Sequence, residues 1–519
     1  MTSRKAIASL AGATVVSRAL GFIRIIVISA VLGTTALGNT FQSSNAVSNV
    51  LFDLLAAGAL SAAIIPQLVH ALDKSERELK NLVSSLITLV IIFLGFVAIV
   101  GVVFAQQISE LLFARAPILT RDDQIRTGTI LLRFFIPQVV LYGIGAVAVA
   151  ALNAKKKFIA QVIAPIGGSI FIMAVLIIFH YFRNVDITKI ETVDTIILSI
   201  AGTGACIAYI AIPVVSAMKN GFSFMPNFNL KDGLKVLSSS TWAVAIQASA
   251  AIILGITLYI GNKLNGAVVA YQLAYVFFLA PYAIISQSFS TVLLPDLSLT
   301  AIRTHEKHYF ESHVKNMLRW TYIPMVISTA FIIAMSAPLT SIVAQGKAGS
   351  GRDMVEIAFI TLVLGIVPYS IYQATSRVYF AKSNVRLPAL TVLVATFITC
   401  GVSYVASRHV SGNSLVIIMG LCHSVTYLLS AFYLSVKLRV QNYKVLPDKS
   451  TLMVIGASVV YAATFYFITN LFDFSSKIFA ISYLFVFTLI NIMIVYIALP
   501  LKYRSKISLA SLKLRLGKG

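Results

Sequence analysis

Runs of about twenty apolar residues recur along the whole chain, which has 519 residues. Each run is long enough to cross the hydrocarbon core of a bilayer as an α-helix. The runs are continuous and do not alternate, so a transmembrane β-barrel is excluded. Charged residues make up 11% of the chain, roughly half of what a soluble domain carries. We therefore predict an all-α polytopic membrane protein.

The apolar runs predict about fourteen transmembrane helices, each close to the length that a bilayer requires. They lie at residues 6–33, 37–69, 81–106, 127–152, 158–182, 193–218, 236–261, 266–294, 315–336, 354–380, 387–407, 413–437, 451–470 and 477–501.

A formal net charge of +23 would suit a nucleic-acid-binding protein, but the location of the charge argues against that function. Lys and Arg are concentrated in alternate loops, including 73–80, 155–157, 303–319, 437–444 and the tail from Lys502. This distribution is the positive-inside pattern of a membrane protein. It predicts that both termini are cytoplasmic, and an even number of helices agrees because it places both termini on the same side.

An internal repeat relates the two halves of the chain. "FIPQVVLYG" (135–143) resembles "GIVPYSIYQ" (365–373), and the repeat aligns Pro137 with Pro368. Asn153 and Asn384 follow at the same offset, and "AAIIPQLV" (62–69) resembles "TVLLPDLS" (291–298) at nearly that offset. Such a parallel repeat of six plus six helices is a known plan of transporters.

The repeat predicts the domain organisation. The expected units are an N-terminal lobe (1–219), a C-terminal lobe (220–440), a terminal helix pair (441–502) and a basic cytoplasmic tail (503–519).

Few ionisable groups lie at membrane depth, and the most conspicuous are Arg18, Arg24, Asp53 and Arg133. Charges in a membrane span are costly and usually face a cavity or a transport pathway. Arginine is permanently charged and its planar fork matches phosphate. Arg18 and Arg24 are separated by about 9 Å along a helix and by about 120° around it. They form a candidate anion site, and the alternative is structural pairing with Asp53 or with backbone carbonyls.

The second predicted helix begins with an unusually polar stretch, "GNTFQSSNAVSN" (38–49). Its amides, Asn39, Gln42, Asn45 and Asn49, are unsuited to contact with lipid and would suit the lining of a wet cavity. The alternative is that small polar residues stabilise helix packing. That alternative accounts for the serines better than for so many amides.

The chain offers little for catalysis. The only acidic pair, in "RDDQ" (121–124), has no companion histidine, and no phosphate-binding P-loop is present. The three cysteines have neither metal-ligand nor disulfide spacing. We expect neither enzymatic activity nor a metal or other cofactor.

Several segments resemble the MurJ (MviN) family of bacterial lipid II flippases, within the MOP exporter superfamily. "SRALGFIR" (17–24) and "AGALSAAIIP" (57–66) follow the family pattern without gaps, and 271–298, 337–347 and 376–388 are also similar. The resemblance implies fourteen helices in two six-helix lobes and a terminal pair. It also implies that Arg18 and Arg24 handle the anionic substrate.

The chain departs from the family pattern at five charged positions. Uncharged residues stand there: Ile25, Asn39, Phe52, Ala57 and Val276. Asp53 and Arg133 are candidates to compensate, and the departures put the substrate and activity of this member in question.

The resemblance implies translocation of lipid II from the inner to the outer leaflet of the bacterial inner membrane by alternating access. The expected partners are lipid II or a similar polyprenyl-pyrophosphate lipid, the membrane and enzymes of wall synthesis. A coupling cation and the membrane potential are the two candidate driving forces. The alternatives are export of another polyprenyl-linked saccharide or of a drug, with Asp53 as the coupling carboxylate, and a non-transporting scaffold for wall synthesis.

Overall fold

The computed structural model describes residues 3–54, 67–183, 185–224, 226–228, 241–287, 297, 307–443 and 445–498. The first half contains α1 (Ser3–Leu32), α2 (Ala36–Phe52), α3 (Glu76–Val103), α4 (Ala105–Leu112), α5 (Ile118–Phe135), α6 (Gln138–Ala154), α7 (Ile159–Phe182) and α8 (Thr192–Lys219). The second half contains α9 (Thr241–Gly261), α10 (Ala267–Pro281), α11 (Lys307–Ala334), α12 (Ser336–Val343), α13 (Arg352–Val363), α14 (Ile366–Ala381), α15 (Arg386–Ala406) and α16 (Ser414–Val440). The chain continues with α17 (Lys449–Thr469) and α18 (Lys477–Ala498).

Each of the fourteen predicted spans contains one or two of these helices, and the described residues form no strand. Eleven helical segments in this part of the chain are long and apolar enough to cross a membrane. The predicted all-α polytopic fold is therefore confirmed.

Several boundaries differ from the predicted ones. The fourth span begins at Ile118, nine residues earlier than expected, and is interrupted between α5 and α6 beside Pro137. The ninth span is already helical at Lys307, eight residues before its predicted start, and its polar residues form one continuous helix with the apolar part of α11. The predicted parts of the second and eighth spans at 55–66 and 288–294 lie outside the described residues.

Two short helices, α4 and α12, were not predicted. Each has eight residues and directly follows a long span, so the apolar run ends before the helical structure does. Hydropathy marks the part of a helix that lies in lipid, whereas these helices continue beyond that run.

The helix positions confirm the internal repeat. Helices α3 and α11 end at Val103 and Ala334, and the eight-residue helices α4 and α12 begin at Ala105 and Ser336. Both pairs share the offset that relates Pro137 to Pro368. The two halves are therefore built to one plan, with the repeat unit set by backbone geometry as well as by sequence.

The helices pack into two groups. In the first group α1 packs on α7, α2 on α5, and α3 and α8 on α6; in the second α9 packs on α15, α10 on α13, and α14 and α15 on α16. Separate buried apolar clusters support each group. The last two helices attach to the second group, where α17 contacts α11 and α18 contacts α12.

Candidate functional site

The two helix groups meet through a buried amide, Asn39, near the start of α2. Its Nδ2 donates to the carbonyl oxygen of Leu264 at 2.9 Å and lies 3.5 Å from that of Gly261. Its Oδ1 accepts from the backbone N–H of Val268 at 3.1 Å. Val268 is the second residue of α10, where N–H groups lack partners within the helix. Asn39 therefore caps a helix of the opposite group.

Two further contacts join the groups at the same end. Ser43 Oγ lies 3.2 Å from Asn262 Oδ1, to which it can donate, and 3.1 Å from Asn262 Nδ2, from which it can accept. Asn262 Nδ2 also donates to the Leu112 carbonyl at 3.2 Å. Arg115 donates to the hydroxyl of Ser407 at 2.7 Å and to its carbonyl at 3.3 Å. We call the contacts of Asn39, Ser43 and Arg115 with the second group the latch.

Close backbone approach makes the latch possible. Gly266, just before α10, has φ of +88°, and a Cβ there would lie 2.4 Å from the Thr34 carbonyl oxygen. A Cβ on Gly351 would lie 2.3 Å from the Thr34 hydroxyl. Only glycine fits these two positions, so the backbone of the second group packs directly against Thr34 of the first.

Away from the latch the interface opens. Gln42, Asn45 and Asn49 lie three and four residues apart, which places them on one face of α2. Gln42 and Asn45 are partly exposed and Asn49 is exposed, whereas Asn39 is completely buried. Among the described residues, these three side-chain amides have no hydrogen-bond partner. The exposure of this polar face therefore increases along α2 with distance from the latch.

Helix α1 shows the same gradient. Among its described side chains between 13 and 27 only Ser17 is buried, whereas Ile28, Ser29, Val31 and Leu32 are all buried. A helix of a packed bundle would bury a continuous stripe along its length. The inner part of α1 is thus accessible, as expected of a helix that lines a cleft.

Arg24 lies on the side of α1 that faces the first helix group. It is partly exposed and interacts electrostatically with Tyr142 of α6 and Tyr209 of α8. Among the described residues, its guanidinium has no hydrogen-bond or ion-pair partner. The side chain of Tyr142 packs on the Phe52 ring at 5.5 Å, which brings the end of α2 next to the same tyrosine.

Arg18 lies on another face of α1. Phe22, four residues further on, contacts the Phe277 ring of α10 at 5.2 Å, so this face is directed to the second group. Arg18 is exposed and, within the described part of the chain, has no ion-pair or hydrogen-bond partner. The two arginines therefore line the opening from different sides and are not paired with carboxylates of that part.

Asp53 and Arg133 occupy separate places. Asp53 is exposed in a π-helical turn at the end of α2 and interacts electrostatically with Tyr275 of α10. Arg133 is exposed near the end of α5, fifteen residues into its span and deeper than the predicted outer end. No described ion pair connects either residue to Arg18 or Arg24. The pairing of an arginine with Asp53, the structural alternative, is absent from this part of the chain.

Sequence reasoning missed Tyr142, Tyr209 and Tyr275. A tyrosine within an apolar run looks like an aromatic core residue, and only the fold shows that these three approach the charged side chains. The available signal was the position of Tyr142 in the repeated segment 135–143, where it was treated as part of the repeat and not as a ligand.

The ionisable residues Arg18, Arg24 and Asp53 have no charged counterparts in the second half of the repeat. At the offset that aligns Pro137 with Pro368, Arg18 corresponds to Ser249, Arg24 to Gly255 and Asp53 to Ile284. The three amides of the α2 face correspond to Leu273, Val276 and Ala280. The polar pattern of α1 and α2 is therefore not repeated in α9 and α10 at these positions.

The described helices form two repeated groups that hydrogen bonds join at one end, with polar and cationic side chains exposed on α1 and α2 away from it, and this is the architecture of a membrane transporter of the alternating-access class. A family profile described as lipid II flippase MurJ matches residues 28–493. The chain belongs to the MurJ family of lipid II flippases.

Individual relatives have low sequence identity to this chain but match over most of their length. A probable lipid II flippase MurJ of Buchnera aphidicola subsp. Acyrthosiphon pisum is 23% identical, with 75% of each chain covered. The lipid II flippase MurJ of Burkholderia cenocepacia is 24% identical, with 91% of each chain covered.

Two solved structures show the shared fold. A lipid II flippase MurJ in an inward closed conformation superposes with a TM-score of 0.75 at 20% identity, over 94% of this chain and 98% of that one. An inward-facing multidrug MATE transporter of the MOP superfamily has a TM-score of 0.64 at 13% identity, over 83% of this chain and 96% of that one. The fold is therefore common to flippases and drug exporters.

Proposed function

We propose that this protein translocates lipid II from the inner to the outer leaflet of the bacterial inner membrane by alternating access. The observation that carries the proposal is Arg24 on α1, which has no ion-pair or hydrogen-bond partner among the residues that the structure describes. An unpaired cation at membrane depth is expensive unless an anion or water meets it. The pyrophosphate of a lipid-linked precursor supplies such an anion, and its own crossing of hydrocarbon would be prohibitive without one.

The charge of the loops indicates which end of the protein faces the cytoplasm in this proposal. Loops at the open end of the cleft carry Lys74, Lys80, the lysines at 155–157, Lys219 and Lys382, among others. Basic loops favour the cytoplasmic side. The open end is then cytoplasmic, both termini lie on that side, and the latch closes the cleft to the outside.

In the proposed cycle the head group enters the open cleft while the polyprenyl tail stays in lipid. Arg18 and Arg24 bind the pyrophosphate, and Gln42, Asn45 and Asn49 hydrate the sugar-peptide head. Asn39 is buried in the latch, so its contact with substrate would require the latch to open. Asp53 and Arg133 border the opening as additional charged contacts.

The moving units of this cycle are the lobes 1–219 and 220–440, with 441–502 and the basic tail as additions to the second. The proposal is supported by the separate apolar clusters of the two helix groups. Since the latch is a set of hydrogen bonds between these groups, breaking it would let them rotate apart at the outer face.

The coupling remains a choice between a cation and the membrane potential. Asp53 is the carboxylate best placed to bind a coupling cation, since it is exposed at the cleft. Unchanged transport by Asp53→Asn would argue for the potential alone. Enzymes of wall synthesis are the expected protein partners, because they would supply and consume the lipid.

The decisive test is translocation of labelled lipid II in vesicles reconstituted with the purified protein. Wild type is expected to move the label to the opposite leaflet, and the double variant Arg18→Ala/Arg24→Ala to lose most of that activity. The same pair of proteins is then expressed in cells depleted of their own flippase, where only wild type should restore growth. Label that stays on its original leaflet with wild type would favour a scaffold, and movement of a different polyprenyl-linked saccharide would favour another exporter.

A further inference from the structure

We propose that a groove between α11 and the start of α17 binds the phosphate of an anionic phospholipid, whose acyl chains lie along α17. Lys315 and Arg319 of α11 form one wall of the groove, and residues 445–448 with Thr451 form the other. Among the described residues, none of α1 or α2 lines it. The site is therefore distinct from the residues assigned to the substrate, and it is independent of the proposed function.

The two walls of the groove are joined by direct contacts. The hydroxyl of Tyr322, on the turn of α11 after Arg319, donates to the Val445 carbonyl at 3.3 Å, and this bond is buried. Leu318 and Val445 belong to one buried apolar cluster. The groove therefore has a packed floor that fixes the spacing of its walls.

The two cations of the groove lie close together without a counter-ion. Lys315 and Arg319 are four residues apart, which places them on one face of α11, where like charges repel each other. Both side chains are exposed. Within the part of the chain that the structure describes, neither has an ion-pair or hydrogen-bond partner. A bound anion would contact both side chains and remove the repulsion between them.

The carboxylate that lines the groove is already engaged. Asp448 caps α17, and its Oδ1 accepts hydrogen bonds from the backbone N–H of Thr451 at 2.9 Å and from the Thr451 hydroxyl at 2.7 Å. The Ser450 hydroxyl donates to the same oxygen at 2.9 Å. No described ion pair joins Asp448 to Lys315 or Arg319. The cations outnumber this carboxylate, so the groove keeps a net positive charge.

The groove lies where both helices change from polar to apolar sequence. Arg319 is the last charged residue of α11, and the next residue, Trp320, is exposed. On α17, Leu452 directly follows Thr451, is exposed, and begins a stretch without charged residues. Tryptophan beside a long basic side chain is typical of the membrane–water interface. At this level the available phosphate belongs to a lipid headgroup, and the exposed apolar surface of α17 can contact its acyl chains.

The surrounding charge indicates which lipid class fits. Lys315 and Arg319 belong to the basic segment 303–319, and the other wall follows the basic segment 437–444. Under the proposed orientation both segments are cytoplasmic, and basic pockets between membrane helices on that side bind anionic headgroups. Phosphatidylglycerol has one negative phosphate and two acyl chains, so it is the probe for this site. Phosphatidylcholine has the same chains and no net charge, so it is the comparison.

A lipid bound here would strengthen the attachment of the terminal helix pair. Helix α17 packs on α11 of the second helix group. The headgroup would contact both walls, and one of these walls leads directly into α17. Anionic lipid would therefore bridge the pair and the group.

The test uses Trp320 as a reporter in the purified full-length protein in detergent micelles. The chain has two tryptophans, and Trp242→Phe leaves Trp320 as the sole one. Brominated acyl chains quench tryptophan fluorescence on contact, so brominated phosphatidylglycerol and brominated phosphatidylcholine can be compared at this residue. Phosphatidylglycerol should quench at an about thirtyfold lower mole fraction, which corresponds to about 2 kcal/mol for two cations near the membrane surface.

Charge-removing variants in the Trp242→Phe protein test the assignment. Lys315→Gln/Arg319→Gln should quench equally with both lipids, and unchanged quenching by phosphatidylcholine will show that the helix surface is intact. Arg319→Gln alone should reduce the preference about fivefold. The matched control, Lys156→Gln/Lys157→Gln, removes two exposed lysines of another basic loop and should keep the full preference. Excess inorganic phosphate should not reverse the quenching.

Four results would overturn the proposal. The first is equal quenching by the two lipids in the Trp242→Phe protein. The second is a preference that survives Lys315→Gln/Arg319→Gln, and the third is one that Lys156→Gln/Lys157→Gln abolishes, because diffuse surface charge would then be sufficient. The fourth is displacement of the lipid by inorganic phosphate, which would assign the groove to free phosphate.

Discussion

Replacing Asn39 with alanine should open the latch. The amide makes two well-formed hydrogen bonds across the interface, of 2.9 and 3.1 Å, and it is completely buried. Each bond contributes about 1 kcal/mol net, so the variant should lose about 2 kcal/mol of latch stability. When the latch is open, water satisfies the same groups, and the loss therefore falls on the closed state. The ratio of latched to unlatched protein should drop by about thirtyfold.

Pulsed EPR can measure this change in population. Spin labels on cysteines introduced at Leu119 and Ser411, both exposed at the latch end of different helix groups, report the separation of the groups. The native cysteines are buried and should react slowly. Asn39→Ala should add a population with a longer distance than in wild type.

Thr40→Ala provides the matched control. Thr40 is next to Asn39 and equally buried, but its hydroxyl bonds only within its own helix, to the Ala36 carbonyl at 2.8 Å. It should lower thermal stability without changing the distance distribution. Identical distributions for wild type and Asn39→Ala would refute the idea that hydrogen bonds between the groups hold this end closed.

Three further changes have defined outcomes. Arg115→Ala removes the contacts with Ser407, and a partly exposed contact of this kind is expected to contribute about 1 kcal/mol. The ratio of latched to unlatched protein should therefore fall about fivefold in the same EPR measurement. An unchanged distance distribution would mean that the other latch contacts close this end. Gly266→Ala adds a strained φ, at about 1–2 kcal/mol, and a clash with the Thr34 backbone; a protein that folds and remains latched would contradict the close-packing argument. Asp448 caps α17, and hydrogen bonds from the hydroxyl and backbone of Thr451, and from Ser450, hold its pKa well below the ordinary value. The Asp448 carboxylate contributes to stability above its unfolded pKa of about 3.9, and this contribution is lost as the pH falls through the lower folded pKa. Asp448→Asn should therefore melt at a lower temperature than wild type at pH 7, and the difference in Tm should narrow in acid. A difference in Tm that does not depend on pH would exclude the charge as its cause.

Much of the fold is readable from the chain because membrane insertion is a local property. A run such as 81–106 is apolar whatever its neighbours are, and Pro137 interrupts a helix through its own ring and missing N–H. Helix ends beyond the apolar run are less accessible, as α4 and the polar start of α11 show. There, contacts with other segments decide whether the backbone stays helical.

The candidate site was also predictable from the sequence only in part. Arg18, Arg24 and the amides of α2 could be selected from sequence, since a polar residue in an apolar run needs a reason. Their partners could not, because the face of a helix that meets a given neighbour depends on packing among distant segments. Asn39 illustrates this: its residue type suggested a cleft lining, whereas the fold buries it against Val268 of the opposite group.

The amino-acid sequence by itself determined that this chain spans the membrane many times, repeats itself once and carries cations at unusual depth, because hydropathy, periodicity and charge belong to each segment. Only the tertiary structure decided that Asn39, Ser43 and Arg115 close one end of the interface by hydrogen bonds between the two helix groups, and that the amides further along α2 stay exposed. The physical reason is that hydrogen bonds and close packing between segments far apart in the chain exist only once the helices have assembled.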